Sequence, residues 1–254
     1  MFDDLKGKRV LITGSSTGIG AAVAVALAKV GAHVAVHYNS SRKEAESVAR
    51  SIEVAGGRSI LVHGDVSETL TAARVVNESA ERLGGLDVLV NNAGSLVERA
   101  QLERVDDDLY DRVLDLNVRS VIMASQAAIP HLRKVGGGSI IHTTSIAARN
   151  GGGQGSLLYA SAKAFVSNAV RSMAKEFAPE RIRVNGVAPG VILTPFHERY
   201  STPDMLEAVR TTIPMGILGK PEDCVGAYLF LMSEQMSGYI TGQIIEVSGG
   251  QIMP

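Results

Sequence analysis

Residues 8–13 (KRVLIT) form a short apolar run that passes without a spacer into Gly14, Gly18 and Gly20. An alanine- and valine-rich stretch follows to about Val30, and Gly31 closes it. A β-branched run ended by glycine reads as a buried strand, and the stretch behind it as a helix. Residues 33–37 (HVAVH) read as a second strand. Strand, glycine loop, helix and strand in that order make a βαβ unit. The loop also predicts a ligand. Glycines let the backbone turn tightly and approach a pyrophosphate, while the helix N-terminus offers N–H groups and the positive end of its dipole. The spacing is G-x-x-x-G-x-G rather than the commoner G-x-G-x-x-G, and a purely structural turn is the plainer alternative.

The alternation continues. Helices are predicted over 43–55, 68–83, 106–135, from the Tyr159 segment to 177, and over 221–231. Strands are predicted over 59–63, 87–90, 139–144, 181–187 and 243–247. This is an α/β pattern with a parallel sheet. The 254 residues suffice for one large α/β domain or two small ones, and no repeat, low-complexity block or linker divides them. Residues 191–216 mix prolines with Phe196, His197, Tyr200, Met205 and Met215, and read as an irregular lid or substrate loop.

Several function classes lose their basis. The net charge of −1 gives no global reason to expect nucleic acid or a membrane surface. Cys224 is the single cysteine, so no internal disulfide framework exists, and a small core residue is its plainer role. The start lacks the order of a secretory signal, and no apolar run reaches membrane-spanning length, so a cytoplasmic protein is expected. The histidines show no H-E-x-x-H or Cys/His cluster, so no metal site is expected. Asp106, Asp107 and Asp108 suit a helix start. His142 alternates with apolar strand residues and reads as filling space.

Polar residues collect at the carboxyl ends of the strands, where open α/β sheets bind ligands. After the second strand, Tyr38, Asn39, Ser40, Ser41 and Arg42 present no carboxylate for a ribose diol. Their donors suit a 2′-phosphate, which predicts NADP(H) over NAD(H). The same residues also read as a helix cap. Asp65 reads either as a partner for an adenine amino group or as a helix cap. Asn91 reads as a site residue or a turn asparagine. Asn117 sits among apolar residues and needs partners, which backbone alone can supply. Strand five delivers Ser145. Tyr159 and Lys163, four residues apart, share a helix face. An ammonium beside the phenol is expected to lower its pKa, and Ser145 to bind the same substrate oxygen.

Taken together and in order, these pieces resemble the classical short-chain dehydrogenase/reductase family. They are Thr13-Gly14-x-x-x-Gly18-Ile19-Gly20, Asp65-Val66, Asn91-Asn92-Ala93-Gly94, Asn117, Ser145, Tyr159-x-x-x-Lys163, and Pro189-Gly190 with Thr194. The resemblance spans essentially the whole chain. It implies one Rossmann-type NAD(P)-binding domain over 1–254, a doubly wound sheet of about seven parallel strands with helices on both faces, and a homotetramer. It implies a catalytic tetrad of Asn117, Ser145, Tyr159 and Lys163. Tyr159 would be the general acid or base, Lys163 would hold the nicotinamide ribose, and Asn117 would hold a relay water. It implies cofactor contacts from Gly14, Ser16, Thr17, Gly18, Ile19, Asp65, Val66, Asn91, Ala93, Gly94, Pro189, Gly190, Val191 and Thr194. Two departures stand out. Thirteen residues separate Ser145 from Tyr159, one more than the usual spacing, and Ser248-Gly249-Gly250 replaces the frequent Asp-Gly-Gly. The closest branch in layout is 3-oxoacyl-[acyl-carrier-protein] reductase, with Arg133, Lys134 and Lys175 as candidate carrier-protein contacts. A sugar or polyol dehydrogenase is the alternative, and a non-catalytic NADP(H)-binding sensor is the alternative from another class.

Overall fold

The apolar runs pair into one sheet of seven parallel strands: β1 (Arg9–Ile12), β2 (His33–Tyr38), β3 (Arg58–His63), β4 (Val88–Asn91), β5 (Gly138–Thr143), β6 (Ile182–Pro189) and β7 (Ile244–Val247). Their spatial order is β3-β2-β1-β4-β5-β6-β7 in a computed structural model that describes residues 2–253. The helices are α1 (Gly18–Lys29), α2 (Arg42–Val54), α3 (Thr69–Leu83), α4 (Asp107–Leu114), α5 (Ser120–Lys134), α6 (Ala147–Asn150) and α7 (Leu157–Phe177). They continue with α8 (Pro195–Tyr200), α9 (Pro203–Arg210), α10 (Pro221–Met232) and α11 (Glu234–Ser237).

The period of two along each strand sorts the core into two layers. Val10, Ile12, Val34 and Val36 pack on one face with Val23 and Leu27 of α1 and with Tyr228 and Leu231 of α10. Leu11, Ala35 and Leu89 face the other way, against Val75 and Val76 of α3 and Leu132 of α5. Covered on both sides, β4 is buried throughout, which is why it reads as a continuous apolar run. The chain leaves β1 towards β2 and β3, then returns to β4 on the other side of β1. That reversal opens a crevice at the carboxyl ends of β1 and β4.

Two expectations are corrected. The helix predicted over 106–135 is broken by a π turn, Asp115–Arg119, between α4 and α5. The Ser120 N–H reaches past Leu116 to the Asp115 carbonyl, and the Ser120 hydroxyl takes the Leu116 carbonyl instead at 2.5 Å. The lid segment is also more regular than expected. Pro195 and Pro203 each open a helix, where a missing N–H is harmless and φ is already set. Thr202 caps the second by accepting from the Met205 N–H.

Candidate active site

The glycine loop is braced from both neighbours of β1. Gly14 has φ +63°, and a Cβ there would lie 2.9 Å from Ala93 Cα, so only glycine fits against the loop after β4. The Gly14 N–H donates to His37 Nδ1 at 2.9 Å, and His37 Nε2 lies 3.0 Å from the Gly64 carbonyl. Burial pushes the His37 imidazole down to about 4, so it is neutral at pH 7 and Nδ1 can accept. Asn92 donates from Nδ2 to the carbonyls of Thr13 and Gly14 at 3.0 and 2.9 Å. Thr17 precedes α1 without a side-chain cap, so the first helical N–H groups are left for a ligand.

A cleft of ≈ 840 Å³ runs from this loop along the carboxyl edge of the sheet to α8 and α9. Gly14, Ser16, Thr17, Gly18 and Ile19 line it, as do Asn39, Ser40, Ser41, Asp65 and Val66. Ala93, Gly94, Pro189, Gly190, Val191 and Thr194 line it further along, with Ser145, Tyr159 and Lys163. Tyr38, Asn91 and Asn117 do not. Tyr38 packs its ring on His63, with centroids 5.2 Å apart. Asn91 turns into the core, donating to Ser125 Oγ at 2.9 Å and lying 3.1 Å from His142 Nδ1, and its neighbour Asn92 faces the loop. Arg42 pairs with Glu46 at 2.9 Å, and Asn39 donates to Asp65 at 3.0 Å.

Tyr159 and Lys163 stand on one face of α7, opposite Ser145 at the end of β5. Lys163 Nζ donates to the Thr143 carbonyl at 2.9 Å and lies 5.6 Å from the Tyr159 ring centroid. Asn117 donates from Nδ2 to the carbonyls of Ser95 and Val113, at 2.8 and 2.9 Å, and its Oδ1 accepts from the Ser95 N–H at 3.2 Å. Both amide hydrogens are therefore committed to backbone, and the side chain ties the π turn to the loop after β4. Gly94 sits between these groups. A Cβ there would come 2.8 Å from Asn117 Oδ1 and 3.0 Å from Lys163 Nζ.

The electrostatics correct a further expectation. Burial pushes the Tyr159 phenol up to about 12, with the Ser145 hydrogen bond pulling the other way. Burial pushes the Lys163 ammonium down to about 8. The opposing pull on the phenol comes from Ser145, and the Lys163 ammonium is bonded to the Thr143 carbonyl. Desolvation dominates because α8 closes the site: Phe196 packs on Tyr159 at 5.6 Å between centroids, and Tyr200 lies 2.7 Å from Ser95 Oγ.

Sequence reasoning missed His37 and Asn92 as braces and Arg99 as the tie between lid and glycine-rich loop. Arg99 Nε donates to the Tyr200 carbonyl at 2.8 Å and Nη1 to the Gln154 carbonyl at 2.7 Å. Nothing in the sequence around Arg99 signals this. The glycine cradle, the α1 N-terminus and a cleft ending at Tyr159 and Lys163 fit a nicotinamide dinucleotide.

The family profile described as Enoyl-(Acyl carrier protein) reductase matches residues 14–251. An uncharacterised oxidoreductase of Methylorubrum extorquens is 40% identical, covering 97% of this chain and 98% of that one. An L-rhamnose 1-dehydrogenase (NAD(P)(+)) of Sphingomonas sp. is 38% identical, covering 97% and 96%. The crystal structure of the NADH-dependent reductase A1-R′ complexed with NAD superposes with a TM-score of 0.90 at 44% identity, covering 100% of both chains.

Proposed function

Because the chain belongs to the short-chain dehydrogenase/reductase family, an oxidoreductase family, we propose that it interconverts a carbonyl and a secondary alcohol with Tyr159 as the proton-transferring group. The carrying observation is the convergence of Tyr159, Ser145 and Lys163 at the end of a cleft that begins at the glycine cradle. A nicotinamide bound there gives or takes the hydride at the substrate carbon.

The chain's own residues do the rest. Ser145 hydrogen-bonds the substrate oxygen and fixes it beside the phenol. Tyr159 stays protonated at pH 7 and delivers that proton as the carbonyl is reduced. In oxidation the phenolate left by that delivery takes the alcohol's proton as the hydride departs to the nicotinamide. Lys163 holds the nicotinamide ribose from inside the cleft. Asn117 acts as a positioning residue, keeping the loop of Gly94 and Ser95 against the site. Gly14 to Ile19 cradle the pyrophosphate, and Asp65 and Val66 meet the adenosine.

We assign NADP(H) as the preferred cofactor. Position 38 carries no carboxylate to repel a 2′-phosphate, and Ser40 and Ser41 line the adenosine end. For the substrate we favour a small carbonyl or alcohol, such as a sugar or polyol, over a carrier-linked acyl thioester, on the placement of the basic residues expected to meet a carrier protein. Arg133 is already paired with Glu180. Lys175 lies roughly 18 Å along α7 from Lys163, towards the opposite edge of the sheet. Among the described residues no helix is long and apolar enough to cross a membrane, and we assign the protein to the cytoplasm, where reduced nicotinamide is available. The test is a panel of small carbonyls and alcohols, followed by reduced-nicotinamide absorbance with each cofactor. Turnover with higher kcat/KM for NADP(H) is expected. No turnover of any carbonyl or alcohol would remove the catalytic reading in favour of a sensor, and a tenfold preference for NAD(H) would remove the phosphate reading of residues 39–41.

A further inference from the structure

Beyond Tyr159 the cleft carries a charge that the carbonyl chemistry does not require. Arg99 and Arg199 both line that end. Arg99 is held by two backbone carbonyls, Tyr200 and Gln154, so its guanidinium is fixed while most of its five N–H bonds are left over. Arg199 lies over the Tyr200 ring, with Cζ 5.3 Å from the centroid. The two guanidiniums thus flank one tyrosine of the lid. Neither meets a carboxylate among the described residues. Arg112 also reaches the cleft but is paired with Asp108 at 2.8 Å. Among the described lining residues the one carboxylate is Asp65, bonded to Asn39 at the adenosine end. The positive field is felt inside the cleft: His197 is held below its ordinary value by burial first and by the Arg99 charge second.

We propose that the substrate carries an oxyanion group, a carboxylate or a phosphate ester, which Arg99 and Arg199 receive while Ser145 and Tyr159 hold the carbonyl or alcohol oxygen. The inference rests on the carbonyl–alcohol reading of the site. A fixed guanidinium recognises a planar or tetrahedral oxyanion with little ordering cost, and a second one beside it completes the grip. Arg99 holds the Tyr200 carbonyl and Arg199 lies over the Tyr200 ring, so the anion would be received at the lid that covers Tyr159.

Matched probes test this: 4-oxobutanoate against butanal, and glucuronate against glucose, titrated calorimetrically into the Tyr159→Phe protein so that nothing turns over. The anion of each pair should bind at least about tenfold tighter, the scale of one charge-assisted contact. That advantage should shrink with added salt and fall towards parity in Arg199→Gln and Arg99→Gln. Because Arg99 also ties the lid, Arg199→Gln, on an exposed side chain, is the deciding variant. Glucose 6-phosphate separates the two sources: binding tighter than glucuronate assigns a phosphate ester, and weaker assigns a carboxylate. Equal binding within each pair, or an advantage that survives Arg199→Gln, overturns the proposal. Wild-type turnover of neutral and anionic probes alike would remove this inference and leave the carbonyl–alcohol reading standing. Anion-selective binding without any turnover would do the reverse.

Discussion

Lys163 works against the stability of the fold that carries it. In the folded state burial lowers its pKa from 10.5 to about 8, so between those values the unfolded chain binds more protons. Stability therefore rises with pH across that window, and below it the full penalty applies, on the order of 3 kcal/mol. The lost bond to the Thr143 carbonyl offsets about 1 kcal/mol of any gain from removing the charge. Lys163→Met should accordingly raise Tm at pH 7 by roughly 3–6 °C while abolishing turnover, with the Tm gain shrinking towards pH 10.5. A lower Tm at pH 7 would show that the ammonium stabilises the fold. His37 has the opposite kind of duty, since it supplies the acceptor for the Gly14 N–H. His37→Ala should weaken reduced-dinucleotide binding about tenfold in a fluorescence titration, because a buried donor is left unpaired. An unchanged Kd would mean the loop holds itself. Residues at this scale were unevenly legible. Tyr159 and Lys163 were readable because helical spacing places them together. Asn91 reads as the site residue although Asn92 is the one that lines the cleft, because consecutive strand-end residues face opposite ways and sequence does not say which. His37 gave no sign, since accepting one loop N–H has no pattern in a sequence.

At the scale of elements, the π turn between α4 and α5 aims Asn117. In an uninterrupted α-helix the Leu116 carbonyl would accept from the Ser120 N–H; here the Ser120 hydroxyl stands in. Ser120→Ala should let the turn drift towards α register, rotate Asn117 away from Ser95 and reduce kcat about tenfold. The KM for cofactor should change little, as the glycine loop is not involved. Near-native kcat in that variant would remove the positioning role. The unbroken apolar periodicity over residues 106–135 hid the turn, because one extra residue in a turn barely disturbs the pattern. The lid misled for a different reason. Pro195, Pro203 and their neighbours read as breakers, yet each proline starts a helix, and the aromatic cluster of Phe196, Tyr200 and Tyr159 folds α8 down over the site.

For the whole molecule, the parallel sheet and its ligand-binding edge were legible from alternation and the position of the glycine loop, since buried parallel strands announce themselves as apolar runs; the strand order came only from the structure. Assembly was legible only in outline. We propose a homotetramer, but not through every small residue of α5 and α7 that would let helices approach closely, because Ala124 and Ala160 are buried within the chain. The exposed face of α7 instead presents Leu157, Ala164 and Phe165, with Phe165 50% exposed, and Tyr110 of α4 is likewise exposed. Phe165→Glu should reduce the mass seen by light scattering at micromolar concentration, and a wild-type monomer would contradict the assembly. What the molecule is proposed to do rests on one phenol set at the end of a dinucleotide cleft. The direct measurement is kcat for Tyr159→Phe beside its Kd for reduced dinucleotide. In Tyr159→Phe, kcat is expected to fall by about 10²-fold or more, with Kd within about twofold of wild type. A near-native kcat would contradict it.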